Sequence, residues 1–407
     1  MPRLASHNLC TGCMLCGDAC GKKAISFDYV DGFYVPVVNP VECVECKACE
    51  RVCPELNTTQ QEPAQILGPI AGWSRDPELL KRSASGAAFA EIAIHFAESS
   101  EKNDRKWLIF GASLQDGELS HISVSNLSDL HLLQGTKYMA SNLQGCYRKI
   151  RSELSKGTDV LFSGLPCQVN ALKSYLGSSK RTGILLTCDL ICNGVPSHEL
   201  FELTKTPKNI VAFRDKKHGW GHETALTWIE NGVEKRETLS NNYLLQSICK
   251  NHLMRPSCYD CRYATIDRHS DFTLGDFWGY RGDDSEAKMG VSLVIPHNEQ
   301  AKEFFEEVQS FKTIPVTWDE CLPGNPRIYC GKRFIGQAIP TFLKRRLTQL
   351  KPMTVKTLLT GECRILADKQ FQWIPFKLWL RHLHKKDLRL RSKSLAETLS
   401  KLNNGKN

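Results

Sequence analysis

Two cysteine runs between Cys10 and Cys53 constrain this chain more than anything else in it. CTGCMLCGDAC and CVECKACERVCP are each spaced C-x-x-C-x-x-C-x-x-x-C, and Pro54 closes the second. Three cysteines two residues apart wrap one face of a cubane, and a distant fourth completes the four-thiolate cage. In two-cluster ferredoxin units the fourth cysteine of each run crosses to the other cluster. The spacing therefore assigns Cys10, Cys13, Cys16 and Cys53 to one 4Fe-4S cluster, and Cys43, Cys46, Cys49 and Cys20 to a second. Gly12, Gly17, Ala19 and Ala48 leave room for backbone amides to reach the sulfurs. Zinc favours separated pairs over triplets, and disulfides need an oxidising compartment. Gly21 stands where a proline is expected after Cys20, a departure that touches only the local turn.

At 407 residues the chain far exceeds a ferredoxin, so the clusters serve something downstream. The reading is an α+β ferredoxin-like domain over residues 1–60, an α/β flavin and iron-sulfur domain over 61–331, and a basic helical tail over 332–407. The polar, proline-bearing NTTQQEPAQILGP marks the first boundary. No apolar stretch reaches the ~20 residues of a membrane span, and MPRLASHNLC lacks the apolar region of a signal peptide. Eighteen cysteines then suit a reducing cytoplasm. The net charge of +9 resides in the tail, where residues 332–407 hold 18 basic and 4 acidic groups. The remainder, with 35 basic and 40 acidic groups, is mildly acidic, which argues against a nucleic-acid partner. FLKRRLTQL and FKLWLRHLHKK set apolar residues at helical spacing among Lys and Arg. Such stripes pack on their own protein, or lie on an anionic membrane surface at the inner face, or dock an acidic partner.

Between these ends, apolar runs alternate with helical periods. PIAGW, WLIFGASL, LSHISVS, DVLFSG and ILLTCDLIC read as strands, and SGAAFAEIAIHFAES, NLQGCYRKIRSELSK and CQVNALKSYLG as helices. ALTWIE and GVEKRETL form a hairpin around Asn231 and Gly232, DFTLGDFWG is a strand entering a turn, and 290–296 and 299–311 supply a last strand and helix.

Loops at strand ends of α/β domains present ligands, and four cysteines fall there. Cys167 and Cys192 follow successive strands, and Cys258 and Cys261 form a C-x-x-C; together they suit a third cubane. Buried structural thiols, zinc and a reactive cysteine are the alternatives, and Cys188 competes with Cys192 as a ligand. A relay of single electrons needs a converter for two-electron chemistry, and flavin is the usual one. Ser83, Ser85 and Gly86 precede a helix, where free amides attract phosphate, although Ser and Gly are also ordinary caps. GTKYMAS, with Lys137 and Tyr138, and TLGDFWG, with Asp276 and Trp278, are further polar-aromatic loops. FRDKKHGWG carries Arg214, Lys216 and His218, for an acidic substrate, proton donation or merely a solvated turn.

In order, KRSASGAAF, GTKYMAS, VLFSGLPCQVNALK, CDLICNGVPSHELF, FRDKKHGWG, RPSCYDCRYA, DFTLGDFWG and GVSLV resemble the coenzyme F-420 hydrogenase/dehydrogenase beta subunits, in the bacterial branch with a two-cluster N-terminal ferredoxin domain. The resemblance spans about residues 1 to 330. It implies a flavoprotein, with FAD or FMN, that carries a further 4Fe-4S cluster and exchanges electrons with an organic acceptor. It thereby favours a cluster at Cys167, Cys192, Cys258 and Cys261. Flavin contacts are expected from Ser83, Ser85, Gly86, Thr136, Lys137, Tyr138, Gly275 and Asp276. Ala87 stands where relatives often have glycine, and GTKY where GSKY is common. Many bacterial members of the fused type look associated with surface polysaccharide synthesis. The expected activity is that of an iron-sulfur flavoprotein reductase fed by a ferredoxin-like donor, with Lys137, Lys216 and Asp276 facing the small organic substrate. An electron-relay subunit of a larger redox complex, without its own substrate, is the alternative.

Overall fold

The cysteine runs build two matching half-units. Helix α1 (Leu15–Ala19) carries Cys16 and ends at Cys20, and α2 (Ala48–Val52) carries Cys49 and ends at Cys53. Each five-residue helix is entered through a left-handed residue, Met14 (φ 63°) and Lys47 (φ 57°), at the same place in its run. Between them β1 (Ile25–Val30) and β2 (Phe33–Val38) pair antiparallel around Asp31 (φ 56°) and Gly32 (φ 74°), the positive-φ pair of a two-residue hairpin. The computed structural model describes residues 1–57, 65, 67–221, 224–282, 285–331, 364–366, 373–375 and 390–402.

The body is organised on one eight-stranded mixed sheet. Its strands are β3 (Ile70–Ser74), β4 (Trp107–Gln115), β5 (Glu118–Val124), β6 (Asp159–Gly164), β7 (Leu185–Leu190), β11 (Phe272–Asp276), β12 (Ser292–Pro296) and β13 (Phe311–Ile314). They run in the order β13-β3-β12-β11-β7-β6-β4-β5. The four central strands β4, β6, β7 and β11 are parallel, and the outer pairings are antiparallel. Central strands covered on both faces read as unbroken apolar runs, as VLF in β6 does.

Helices cover both faces. On one, α3 (Pro77–Arg82) and α4 (Ala88–Lys102) close the largest core around Ala93, Phe96, Leu161, Phe272 and Val294. On the other, α5 (Cys146–Ser155) and α6 (Pro166–Leu176) pack Tyr147, Ile150, Leu154 and Leu172 with Phe110 and Phe162, and Met14 and Leu15 of the cysteine unit join that core. A separate sheet of order β10-β9-β8 is formed by β8 (Ile210–Asp215), β9 (Ala225–Glu230) and β10 (Val233–Thr238), with its hairpin at Asn231 and Gly232. Its third core includes α7 (His198–Leu203), α8 (Tyr243–Cys249) and Tyr259 of α9 (Pro256–Tyr259). Helices α10 (Glu299–Glu306) and α11 (Trp318–Cys321) complete the body; the helix expected over 299–311 gives way to β13.

Of the tail, β14 (Arg364–Leu366) and β15 (Trp373–Pro375) pair antiparallel, between the two stretches expected to be helical. Residues 390–402 are helical and lay Leu395, Leu399 and Leu402 on the largest core. The basic stripes at 342–350 and 376–386 lie outside the described residues. Among the described residues no helix is long and apolar enough to cross a membrane.

Candidate iron-sulfur and redox site

The fold sorts eleven of the candidate cysteines into three groups, and the spacing alone adds Cys43 to the second. Cys13 interacts electrostatically with Cys10 and Cys53, and Cys16 with Cys10, Cys13 and Cys53. Cys49 interacts with Cys20 and Cys46. Cys167 interacts with Cys192, Cys258 and Cys261, and these four line a cavity of about 610 Å³. Cys188 is directed elsewhere: it is fully buried in the largest core and its charged neighbours are Asp189 and Asp271.

Each group meets the chemistry of a cubane. Backbone N–H groups are aimed at the sulfurs: Ala24 at Cys20 (3.3 Å), Gly194 at Cys192 (3.3 Å) and Val195 at Cys258 (3.5 Å). The amides of Leu15, Gly17, Glu55 and Tyr263 serve Cys13, Cys16, Cys53 and Cys261 in the same way. Burial first, and then the charge of neighbouring thiolates, pushes the Cys13 and Cys261 thiols up to about 12 and Cys167 well above the ordinary thiol range. Dry thiolates crowded together repel one another, and bound iron removes that repulsion. All the described cysteines are free thiols.

The cysteine unit is bolted to the body next to the third group. The Cys10 carbonyl accepts from Ser257 Oγ (3.1 Å) and Arg255 Nη1 (3.3 Å), residues beside Cys258. Arg255 also donates to the Tyr34 carbonyl (3.1 Å) and stacks on Phe33 (4.8 Å). Beyond Cys53, the Pro54 carbonyl accepts from Arg262 (2.9 Å) and Glu55 from the Tyr263 hydroxyl (2.6 Å), just past Cys261. Cys13 and Cys167 interact electrostatically across this joint. Arg255, Tyr263 and Glu55 carry no motif by which sequence could single them out, because their role arises only where two distant segments meet.

The parallel strands end on the same edge. Cys167 follows β6, Cys192 follows β7 and Asp276 ends β11. Asp276 accepts a bidentate pair from Arg214 (2.9 and 3.2 Å) and a bond from Trp220 Nε1 (2.8 Å). Trp220 stacks on the partly exposed Trp278 at 4.9 Å and 6°. Tyr138 hydrogen-bonds Arg214, and burial pushes its phenol up to about 12. Lys137, in the same half-buried loop as Thr136, donates to the Gln134 carbonyl (2.6 Å), and burial pushes it down to about 8. A side chain at Gly275 would overlap Ile191, the neighbour of Cys192.

Two expected roles are corrected. The Lys216 ammonium is buried on the carbonyls of Leu80 (2.7 Å), Ser85 (2.9 Å) and Met289 (2.6 Å), so it ties α3, the turn before β12 and the α4 entrance together instead of facing a substrate. The Ser83–Gly86 segment is not an open phosphate cradle. Ser83 Oγ accepts from Gln134 (3.0 Å), Ser85 Oγ donates to the Val291 carbonyl (2.7 Å), and a Cβ on Gly86 would overlap the Gly72 carbonyl. The helix that follows starts from left-handed Ala87 (φ 68°), where its first turn packs on Ser292.

Comparison with known proteins supports 4Fe-4S binding by the N-terminal unit. Residues 9–56 match the family described as 4Fe-4S dicluster domain, and residues 157–317 match the C terminus of the coenzyme F420 hydrogenase/dehydrogenase beta-subunit family. No curated protein matches. Among solved structures, the F420-reducing [NiFe] hydrogenase complex from Methanosarcina barkeri aligns at 18% identity and a TM-score of 0.44, covering 74% of this chain and 93% of that one. Over residues 157–317 the chain is thus similar to the C terminus of the coenzyme F420 hydrogenase/dehydrogenase beta subunits, and over residues 9–56 it carries a 4Fe-4S dicluster domain, which together mark an iron-sulfur redox protein of that type.

Proposed function

We propose that this chain is an iron-sulfur flavoprotein reductase that draws electrons from a ferredoxin-like donor and delivers them to a small organic substrate. Cys10, Cys13, Cys16 and Cys53 hold an inner cubane, Cys20, Cys43, Cys46 and Cys49 an outer one, and Cys167, Cys192, Cys258 and Cys261 a third. Cubanes supply one-electron transfer, and a flavin supplies the pairing of electrons that reduction of an organic acceptor requires. The reading is carried by one observation: the Cys10 carbonyl is held by Ser257, the neighbour of Cys258, and Cys13 lies in the electrostatic range of Cys167. That contact orders the stations. The outer group, whose Cys46 is exposed, faces the donor, and the third group faces the strand edge.

At that edge the protein's own side chains do the remaining work. Thr136, Lys137, Tyr138, Gly275 and Asp276 line the flavin and substrate side. Lys137 has one carbonyl partner and a proton affinity lowered by burial, which suits an ammonium that binds an anionic or carbonyl oxygen and yields a proton near neutrality. Asp276 fixes Arg214 and Trp220, and so acts as a positioning residue.

Anaerobic reconstitution tests this reading. About twelve irons and one flavin per chain are expected, with turnover of an organic acceptor on reduced ferredoxin. About eight irons removes the third cubane, and absence of flavin removes the reductase. The engagement of Lys216 and Asp276 by protein groups favours a second reading, a relay subunit, which predicts reduction of small dyes and of no metabolite.

A further inference from the structure

Tyr147 has a buried hydroxyl that nothing among the described residues satisfies. Its side chain is 0% exposed, and its oxygen has no hydrogen-bond partner among the described residues. An orphaned buried hydroxyl is destabilising and calls for an explanation. Packing does not provide one. The ring sits in an apolar core 6.3 Å from Phe162, and phenylalanine would fill the same space. Its surroundings do: Cys13 packs against this core, and the titratable groups that interact with the phenol are Cys13, Cys146, Cys167 and Asp18. Two of those four belong to the inner and third cysteine groups. The backbone is fixed as well, because Asp18, between Cys16 and Cys20, binds the amides of Gly145 and Arg148 on either side.

We propose that the Tyr147 hydroxyl donates a hydrogen bond to cluster sulfur at the junction of the Cys13 and Cys167 groups and sets the potential at which an electron crosses it. This rests on the function proposed above and adds to it a positioning residue. With both clusters bound, the one held by Cys13 would be oxidised by one electron and the one held by Cys167 reduced by it. Tyr147 keeps its proton throughout. A donated O–H stabilises the more negative, reduced state of the cluster it touches and raises its potential.

The test is Tyr147→Phe in the full chain, reconstituted anaerobically and followed by iron content and EPR-monitored redox titration. The expected result is unchanged iron and a lower midpoint for one cubane signal. At the wild-type midpoint the ratio of reduced to oxidised cluster should fall about tenfold, equivalent to 59 mV for one electron. The cluster-free variant should unfold at the same or a higher temperature than cluster-free wild type, since the hydroxyl has no partner to lose. Unchanged potentials at full iron content overturn the proposal. If the variant loads less iron, 3-fluorotyrosine at position 147, a stronger donor, must raise the midpoint, and no shift overturns the proposal. A wild-type count of about eight irons would remove the third cubane from the function, while the shift at the Cys13 side still decides the role of Tyr147.

Discussion

The Asp18 carboxylate accepts a 2.6 Å hydrogen bond from the backbone N–H of Gly145, and a second, of 3.1 Å, from that of Arg148. Asp18 thus serves as the side-chain cap of α5, a helix 127 residues away whose own N-cap residue, Gly145, has no side chain to offer. A buried carboxylate on free amides at a helix start is among the stronger caps. Asp18→Ala should lower stability by roughly 2–3 kcal/mol. Asp18→Asn, which keeps an acceptor, should lose less, as read by thermal unfolding of both variants. An equal loss in the two would show that the charge, and not the hydrogen bonding, holds the cysteine unit to α5.

Gly12 and Arg255 make a second joint. Gly12 is left-handed (φ +70°), and a Cβ there would come within 2.6 Å of the Arg255 guanidinium carbon. Gly12→Ala should therefore lose about 1–2 kcal/mol for the backbone alone and displace Arg255 from the Cys10 and Tyr34 carbonyls. Limited proteolysis should then separate residues 1–57 from the body faster than in wild type. An unaltered digestion rate would show that the Arg255 contact is dispensable.

Cys188 lies on β7 and Cys167 just past the end of its parallel neighbour β6, yet they serve different surroundings, Cys167 beside Cys192, Cys258 and Cys261, and Cys188 in the largest core. Cys167→Ser should reduce the iron content by about four atoms per chain. Cys188→Ala should leave iron unchanged and cost stability only, of the order of 1 kcal/mol for a small cavity. Iron and sulfide analysis of both variants separates the roles, and iron loss in Cys188→Ala would reassign the ligand.

Local signals carry the cysteine unit and the parallel strands because both depend on spacing within a few residues. The two runs are legible as copies for the same reason, with left-handed Met14 and Lys47 at matching places. The antiparallel half of the large sheet is less legible, since β3 is an early strand inserted between β12 and β13 from the end of the body. Ser83–Gly86 reads as a phosphate loop in one dimension and is covered in three by Val291 and by Ser292 of β12. Lys216 is a similar case. A lysine among charged residues looks solvated until the three carbonyls that surround it are brought together by the fold.

His297 makes stability depend on pH. Burial first, then the positive charge of Arg268, pushes its imidazole down to about 3, and it stays neutral with Nε2 at 2.8 Å from the Thr273 hydroxyl. Thr273 donates to Asp189, so Nε2 carries the proton. Above about pH 6.5 the ring is neutral in both the folded and unfolded chains; as pH falls from there toward 3, only the unfolded chain takes up the proton, and stability is lost. At pH 5 the loss is about 2 kcal/mol from this residue. Urea unfolding at pH 7.5 and 5.0 should show His297→Gln losing less stability on acidification than wild type by about that amount. Equal losses would mean that His297 is protonated in the folded chain.

The helix at 390–402 separates packing from docking within the basic tail. Leu402 is 4% exposed in the largest core, Leu395 and Leu399 pack beside it, and Ser394 Oγ donates to the Tyr329 carbonyl at 2.6 Å. Its Lys393 and Glu397 stay exposed as an i,i+4 pair, worth only a few tenths of a kcal/mol. This end of the tail is therefore held by apolar burial, not by charge. Leu402→Ala should cost about 2–4 kcal/mol and Lys393→Ala next to nothing, with both losses independent of salt between about 50 and 500 mM as expected for burial. Thermal unfolding across that salt range checks the prediction. A Leu402→Ala chain as stable as wild type, or a stability that falls with salt, would assign this helix to an electrostatic contact instead.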